Sequence, residues 1–472
     1  PQFFYSRRIG RAPQGYVTEP GYADIPDRST ILGAAKITGK LGGWNVGFVN
    51  AFTSREIAEI DQEGYRIRQE VEPFSYYGIL RAQKDIKEGR HGFGLMATGV
   101  MRNTSDATIG GILNKNAFSL AADGWSFLDE KRTYVVGGWW GGTRIEGSPS
   151  DIARLQRSSL HYFQRPDASH VSYDPGAASL SGWAGRVQVA KQRGHLLWVF
   201  GVGAISPGFD PNDLGYQRSA SDLVNVSFLP GYQWTKPGKV FQYFLVALGG
   251  LQSYDFGGNK ISEAAVGIVQ GMFRNFWNFN VELVYFPETL NNRLTRGGPM
   301  ALSLAGTNAS FMLATDSRKS FVLEGFGGFE RIPGDMDGWN AQVSVRWKPS
   351  DNISLSVGPQ YMVLSNETQW IGRFVDPVKT STYGSRYVFG HIDQKVVSAE
   401  VRLNWTFTPQ LSLQAYLQPF IAVGAYDRFK ELDRPRAYAY NTFGENGSTF
   451  VQAGGRATVD PDGEGPAAPF SF

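Results

Sequence analysis

The sequence of 472 residues contains no cysteine, so disulfide bonds and thiolate metal sites are excluded. It also lacks any run approaching the roughly 18 consecutive apolar residues that a transmembrane helix requires. Its best apolar stretch, 196–205, is broken by glycines. Charged residues make up only 19% of the chain, and the formal net charge is +3. A helical membrane protein is therefore excluded, and a nucleic-acid partner has no electrostatic support.

Motifs for catalysis and metal binding are also missing. There is no G-x-S-x-G nucleophile elbow and no phosphate-binding Walker loop, so an enzyme is not predicted. If an active site existed, the place to search would be the group of Ser158, His161 and Asp167. The histidines have no HExxH motif or paired i, i+4 spacing, so neither a zinc site nor another cofactor is predicted. They are His91, His161, His170, His195 and His391.

Two short acidic segments have the oxygen-rich spacing that Ca²⁺ prefers. They are 335–338, with the sequence DMDG, and 460–463, with the sequence DPDG. Each lacks the later glutamate that completes a full calcium loop. Calcium bound in a loop therefore remains an alternative to ordinary loop polarity.

The main positive signal is a strict alternation of apolar and polar residues. From 397 to 418, apolar side chains occupy the odd positions and polar side chains the even positions, on both sides of the turn 408–410. Because the side chains of a strand point alternately to opposite faces, this pattern predicts a hairpin with one apolar and one polar face. The same pattern recurs in 339–357 and 277–285, and weaker copies occur along the whole chain.

The segments that connect the predicted strands differ regularly in length. Short polar turns alternate with longer irregular segments, which are expected at about 54–73, 142–178, 207–221, 288–298 and 367–390, and from 426 onward. Outer-membrane barrels have this asymmetry, with short periplasmic turns and long extracellular loops. A soluble sandwich or propeller would also be all-β, but it has no reason to separate loop lengths in this way.

The sequence therefore predicts an all-β fold, a large antiparallel transmembrane β-barrel of roughly 18 to 22 strands that begins with a strand near residues 3–8. No linker or change in composition divides the chain, so residues 1–472 are expected to form a single barrel domain. The apolar face would contact lipid, with aromatic residues near the strand ends. The residues assigned to this lipid-facing surface are Trp277, Phe279, Trp339, Trp347, Leu403, Trp405 and Phe407.

The opposite face would line a wet lumen, because charged residues occur on it in the middle of strands. A short amphipathic helix is predicted near Pro149, in the long loop 143–178. This helix either packs across the barrel mouth and orders the loop, or forms a constriction whose arginines attract an anionic solute. The candidate lumen and constriction residues are Arg7, Arg8, Arg154, Arg157, Arg165, Arg346, Glu400 and Arg402.

Two stretches of the sequence resemble a known family. PQFFYSRRIGRAPQG and the later STILGAAKITGKLGGWNVGFVNAFTSRE are similar to the start of the barrel region in a family of large, uncharacterised Gram-negative outer-membrane proteins. The segment LQRSSLHYFQRPDASHVSYDPGAASLSGWAG resembles the long-loop signature of that family. The resemblance implies a carbohydrate-binding-like β-sandwich module before the barrel and further strands after residue 472, so both ends are expected to be incomplete.

The pattern and the resemblance together predict a protein of the Gram-negative cell outer membrane. The first hypothesis for its function is a porin-like or gated channel for a solute. The alternative is a membrane anchor or scaffold in a cell-surface assembly, with the lumen plugged by the protein's own loops. The expected partners are outer-membrane lipid and, in such an assembly, other cell-surface proteins, but no nucleic acid.

Overall fold

The computed structural model describes residues 2–17, 21–62 and 64–472. The chain is all-β, with large antiparallel sheets and little helix. Its residues divide into two compact units that interleave along the sequence. The first unit comprises Pro1–Arg193, Val199–Val226 and Ser253–Asn259, and the second comprises Gly194–Trp198, Ser227–Gln252 and Lys260–Phe472.

The first unit contains a large and a small antiparallel sheet. Its strands are β1 (Tyr22–Asp24), β2 (Ile31–Leu41), β3 (Trp44–Thr53), β4 (Glu56–Gln62), β5 (Tyr65–Glu72), β6 (Ser75–Ile86), β7 (His91–Arg102), β8 (Asn116–Phe127), β9 (Tyr134–Glu146) and β10 (Ser179–Lys191). The large sheet pairs β2, β3, β6, β7, β8, β9 and β10 in this order, and the small sheet pairs β1, β4 and β5.

Short helices lie in the connections of the first unit. They are the 3-10 helix Ser6–Arg8, α1 (Ala107–Gly110) and α2 (Pro149–Arg157). Within the described ranges, no helix has both the length and the apolar character needed to cross a membrane.

The core of the first unit lies on one face of its large sheet. Alternate residues near one end of the strands point to this face and are buried, and α2 and the N-terminal segment pack on them. The buried residues of this cluster are Ala51, Tyr77, Ile79, Val100, Ala117, Ile145, Ile152, Leu180 and Leu214. Residues at the intervening positions, such as Phe48, Leu80 and Leu120, point to the other face and are exposed.

The second unit is dominated by long strands that pair with their neighbours in sequence. In chain order, the remaining strands of the molecule are β11 (Leu196–Ile205), β12 (Leu223–Trp234), β13 (Phe241–Tyr254), β14 (Lys260–Phe273), β15 (Asn278–Phe286), β16 (Thr289–Asn291), β17 (Ala301–Ser303), β18 (Gly306–Ala314), β19 (Phe321–Ile332), β20 (Met336–Ser350), β21 (Ile353–Val375), β22 (Ser385–Thr408), β23 (Leu411–Leu417), β24 (Phe420–Leu432), β25 (Tyr440–Thr442), β26 (Thr449–Ala453), β27 (Arg456–Asp460) and β28 (Phe470–Ser471).

The large sheet of the second unit pairs β14, β15, β18, β19, β20, β21 and β22 antiparallel and in this order. Strand β22 then pairs with β23 along one half and with β24 along the other. The break between β23 and β24 falls at Pro419, which has no backbone N–H to give to the sheet. Strands β16 and β17 form a separate pair, and β26, β27 and β28 form a small sheet.

Buried aromatic and charged residues hold together the far ends of β21 and β22. Phe389 is fully buried and packs edge-on against Trp370 and Tyr440, with ring centroids 5.5 Å apart in both pairs. The guanidinium of Arg386 donates to Asp376 at 2.6 Å and to Glu431 at 2.7 Å. These contacts stabilise the hairpin beyond the alternating part of its strands.

The strands predicted from alternation are confirmed, and several predictions for the connections are wrong. Residues 3–8 form no strand, because Ser6–Arg8 is a 3-10 helix. Residues 54–73 contain the hairpin of β4 and β5 and are not an irregular segment. The charged residues on the exposed face of this hairpin made the segment resemble a loop, although Ala58 and Ile60 on its other face are buried. Residues 367–390 mostly extend β21 and β22, and the segment after 426 contains β25 to β28.

Candidate functional site

One face of the large sheet in the second unit carries exposed apolar side chains on neighbouring strands. Phe329 of β19 lies opposite Trp339 of β20, and their exposed fractions are 50% and 47%. Phe321 lies opposite Trp347 on the same two strands. We call this surface, which also includes Val343, the apolar face. Exposed apolar surfaces this extensive are uncommon in soluble monomeric proteins.

Most of the residues predicted to face lipid lie on the apolar face. Leu403 is opposite Leu355, and Trp405 is opposite Leu413. The ring of Phe407 lies 4.4 Å from that of Trp405. Trp277 immediately precedes β15, and Phe279 lies in an aromatic cluster with Phe241, Phe244 and Phe273.

The opposite, polar face brings together three of the predicted lumen residues. Arg346 and Arg402 lie on the two sides of Ser356, in one row across β20, β21 and β22. Nε of Arg402 donates to Glu400 at 2.6 Å, and its guanidinium lies 4.7 Å from the ring centre of Tyr416. Because Arg402 and Glu400 are about half exposed, the polar face can contact water and charged solutes.

The predicted helix in the long loop of the first unit is confirmed as α2. Ser148 caps it by accepting a hydrogen bond from the amide of Asp151, and Pro149 occupies its first turn. Ile152 is fully buried in the core cluster. Nη2 of Arg154 donates to the carbonyl of Ile112 at 2.8 Å, and Arg157 is exposed. The helix therefore packs on the sheet and keeps two of the predicted arginines near the surface.

Arg165 is the centre of a buried ion network. Its Nη2 donates to Asp222 at 2.5 Å, and both side chains have no solvent exposure. Nε2 of His170 lies 2.9 Å from the same carboxylate oxygen. Because Asp222 compensates the charge of Arg165, this arginine holds two loops together and does not present a free charge to a solute.

The same network contains the best arrangement for a metal ion within the described ranges. His170, Asp222 and Asp255 offer ligand atoms that lie within 4.8 Å of one another. Burial raises the pKa of Asp222, but hydrogen bonds from His170, the Phe256 amide and Arg165 outweigh burial and lower it. The guanidinium of Arg165 already donates to Oδ2 of Asp222, so a metal ion held by these three side chains would compete with Arg165 for that carboxylate.

His161 is also paired within the loops of the first unit. Nδ1 lies 2.7 Å from the carbonyl oxygen of Pro207, and Nε2 lies 3.3 Å from Asp210. Burial raises the pKa of Asp210, but the bonds from His161 and Asn212 outweigh burial and lower it. Both ring nitrogens of His161 are occupied by these partners, so the structure does not join His161 to Ser158 and Asp167, the residues among which an active site was to be sought.

The N-terminal segment places the remaining two predicted arginines beside these loops. Nε of Arg8 donates to the carbonyl of Gly215 at 3.0 Å, whereas Arg7 is exposed. Phe3 packs edge-on against Trp139 and Phe209 at about the same distance, 5.9 and 5.8 Å between ring centroids. The segment thus covers the face of β9 that also carries Ile145 of the core cluster.

The two acidic segments considered for calcium have internal partners. The carboxylate of Asp335 accepts from the hydroxyl of Thr368 at 2.7 Å, and Asp337 lies in β20 beside Arg331. Asp460 and Asp462 accept hydrogen bonds from backbone amides of their own turn. These carboxylates therefore stabilise the turn and strand ends in which they lie.

Sequence reasoning missed the acidic partners of three buried basic side chains. Arg102, whose side chain has no exposure, lies 2.6 Å from Asp213, while Asp210 and Asp222 hold His161 and Arg165. All three aspartates lie in or next to the segment 207–221, which was expected to be irregular. The only available signal was their number in a short loop, because pairing over long distances leaves no local pattern.

The fold and these surfaces define an all-β protein with large antiparallel sheets, which expose an apolar face and carry charged residues on the polar face. The sequence matches the family described as Domain of unknown function (DUF5916) over residues 1–122 and 152–448. The chain belongs to this family, which confirms the resemblance to an uncharacterised family. No curated protein matches the chain.

Proposed function

We propose that this chain forms an outer-membrane β-barrel of a Gram-negative cell and acts as a porin-like, gated channel for a solute. The observation that supports this most strongly is the apolar face. A fully exposed Val, Leu or Phe side chain forgoes about 1.5 to 3 kcal/mol of transfer free energy. The side chains of the apolar face are about half exposed, so contact with lipid would recover roughly half of this free energy for each of them. The aromatic residues near the ends of the face suit a membrane boundary.

The connectivity of the strands supports the same proposal. In each unit, successive long strands pair antiparallel with their neighbours in sequence, as in an up-and-down barrel. Turns such as 42–43 and 409–410 are short, whereas the connection that contains α2 is long. We include closure into one barrel of roughly 18 to 22 strands in the proposal, because an open strand edge in lipid would leave backbone groups unsatisfied.

The packed loops of the first unit favour a gate. The N-terminal segment and α2 cover one end of the sheet on the face opposite Phe48 and Leu80. Farther along that same face, Arg81 and Asp123 form an ion pair that is about one-third exposed. A solute that follows this polar surface would reach the packed loops, so we propose that their displacement controls passage.

The alternative proposal is a membrane anchor or scaffold for a cell-surface assembly. The fully buried pair of Arg165 and Asp222 supports this alternative, because a permanent plug would be held by such contacts. The carbohydrate-binding-like module that the resemblance implies would fit this role, and the role itself would require cell-surface protein partners.

Cysteine substitution tests the membrane arrangement cleanly, since the chain has no cysteine of its own. We expect a spin label at Val343→Cys to be relaxed by oxygen dissolved in lipid and to be shielded from a water-soluble nickel chelate. The matched label at Gln342→Cys, on the polar face, should respond in the opposite way. Equal access of the chelate to both labels would refute the membrane proposal.

Planar-bilayer recording then separates the channel from the anchor. The full chain, purified in detergent and inserted into a bilayer, should give discrete conductance steps. These steps should become more frequent in Asp222→Asn, which removes the partner of Arg165 and loosens the loops. A correctly inserted protein that stays silent even after the loops are loosened would refute the channel and leave the anchor.

A further inference from the structure

Ser365, His391 and Asp427 form a hydrogen-bonded chain across three strands of the second unit. Oγ of Ser365 on β21 lies 2.9 Å from Nε2 of His391 on β22. Nδ1 of the same ring lies 2.5 Å from Oδ1 of Asp427 on β24. The side chain of His391 is only 5% exposed, whereas Ser365 is half-buried. Serine hydrolases activate their nucleophile with a hydroxyl, an imidazole and a carboxylate in this order.

The sheet is distorted on both sides of His391. The register between β21 and β22 shifts after Asn366, and the register between β22 and β24 shifts next to His391 itself. Beside Asp427, Arg428 has a φ of 44°, which is uncommon for a residue with a side chain. Bulges re-aim neighbouring side chains and are frequent next to active sites. Here they bring Asp427 opposite His391.

These side chains lie at the end of the apolar face. Ser365 follows Tyr361 and Val363 at alternate positions of β21, so the three residues point to the same side. Val363 lies opposite Trp339, and Tyr361 lies opposite Val397. Because two residues of a strand span about 7 Å, the serine lies one step beyond the last apolar row.

We propose that Ser365, His391 and Asp427 form a site that hydrolyses the acyl ester of a membrane lipid. The choice of lipid rests on the proposed membrane arrangement, in which aromatic residues such as Trp339 mark the headgroup level. Lipid esters lie between the headgroups and the acyl chains. Because Ser365 lies one strand step, about 7 Å, beyond the row of Val363 and Trp339, a lipid molecule must rise by that distance to bring its ester to Oγ. The acyl chain would lie along Val363 and Tyr361.

The chemistry follows from the hydrogen bonds. Oγ of Ser365 attacks the ester carbonyl carbon, and its proton passes to Nε2 of His391. The tetrahedral intermediate expels the alcohol oxygen, which takes that proton and leaves an acyl group on Ser365. Water then attacks the acyl group and gives a proton to Nε2, and Oγ leaves and recovers it. The net reaction converts ester and water into a carboxylic acid and an alcohol.

Two charged neighbours have separate roles in this site. Oδ1 of Asp393 lies 3.3 Å from Nε2 of His391, so this carboxylate stabilises the ring while it carries the transferred proton. Lys395 lies on the same face, opposite Val363, and forms no ion pair within the described ranges. The sheet uses its own amides for strand pairing, so the Lys395 ammonium is the group that would stabilise the negative oxygen of the intermediate.

A fluorophosphonate probe tests the nucleophile directly. The full chain in detergent should form an adduct that peptide mass spectrometry places on Ser365. Ser365→Ala should abolish the adduct and lower ester hydrolysis at least about a thousandfold. The matched control, Ser356→Ala, removes a serine of the polar face on the same strand and should leave both unchanged. No adduct at Ser365, or equal hydrolysis by Ser365→Ala, would overturn the proposal.

The substrate is tested with vesicles of phosphatidylethanolamine and phosphatidylglycerol. Release of fatty acid from these vesicles would support a lipid substrate. Cleavage of only a short, soluble p-nitrophenyl ester would overturn the lipid assignment while keeping the nucleophile. The spin labels at positions 342 and 343 report on the membrane arrangement separately, so failure of either proposal can be recognised.

Asp427 is a positioning residue, and its role needs a different measurement. Asp427→Asn should lower kcat with little change in KM, and Asp427→Glu should restore part of the rate. A purely structural role would lower the amount of folded protein and leave kcat per folded molecule unchanged. Unchanged kcat would therefore remove Asp427 from the proposed site.

Discussion

The buried pair of Arg165 and Asp222 allows a quantitative prediction for the loops of the first unit. Asp222→Asn would leave Arg165 buried without a counter-charge, and it would also remove a carboxylate that accepts from His170 and from the Phe256 amide. Removing one partner of a buried ion pair typically costs about 3 to 5 kcal/mol. The loop network should therefore loosen while the large sheet persists.

The magnitude follows from the free energy. A change of about 1.36 kcal/mol alters an equilibrium tenfold, so the open state of the loops should become about a hundred to a few thousand times more populated. Hydrogen exchange can measure this at the amide of Ser221, which donates to the carbonyl of Leu160 at 3.0 Å. The amide of Val100 in the large sheet should keep its protection.

The matched control is Asp174→Asn. Asp174 is an exposed carboxylate of the loop that contains Arg165, and its side chain accepts only a local hydrogen bond from Gly176. This variant should exchange like the wild type. If Ser221 exchanged equally slowly in Asp222→Asn, the pair would contribute little to holding the loops. If Val100 lost protection as well, the network would support the whole unit and not a separate gate.

The other predictions concern pH, the second unit and the membrane. The pKa of Asp222 is lowered in the folded protein, so its contribution to stability is present above the ordinary aspartate range and is lost as pH falls through the lowered value. The protection of the Ser221 amide, taken relative to its intrinsic exchange rate at each pH, should therefore fall only at such acid pH. Constant protection down to that pH would contradict this. Arg386→Met breaks a buried ion pair and should lower the free energy of unfolding of the second unit by about 3 kcal/mol in urea. Arg434→Met breaks an exposed pair and should lower it by under about 1 kcal/mol. Equal urea midpoints for the two variants would be inconsistent with this reasoning. Val343→Arg should make folding into lipid less favourable by about 2 to 4 kcal/mol, and Gln342→Arg should have a much smaller effect. The yield of folded protein in vesicles measures both variants. Equal yields would count against a lipid-facing Val343.

The strands could be predicted from the sequence because their signal is local. From 397 to 407 in β22 and from 411 to 417 in β23, every second residue is apolar, so the two faces are visible without any knowledge of the partner strand. The signal for the confirmed helix α2 is equally local, since Pro149 and Asp151 both lie in its first turn. The hairpin of β4 and β5 was missed because Glu59 and Arg68 on its exposed side made it resemble a charged loop.

The sites could not be predicted because their residues meet only through pairing of distant strands. Ser365 and His391 are 26 residues apart, and His391 and Asp427 are 36 apart. A register shift beside His391 decides which residue lies opposite it, and no sequence pattern reports that shift. The same argument applies to Arg165 and Asp222, which are 57 residues apart.

Strands β21 and β22 contain 23 and 24 residues. At about 3.3 Å a residue and a tilt of about 40°, such a hairpin reaches roughly 60 Å along the membrane normal, while the apolar band of an outer-membrane barrel is only about 25 Å tall. Within the proposed barrel, the connection 376–384 would therefore stand well clear of the lipid headgroups. A peptide tag inserted there would be recognised by antibodies on intact cells, which would make this hairpin a handle for detecting the protein without breaking the envelope.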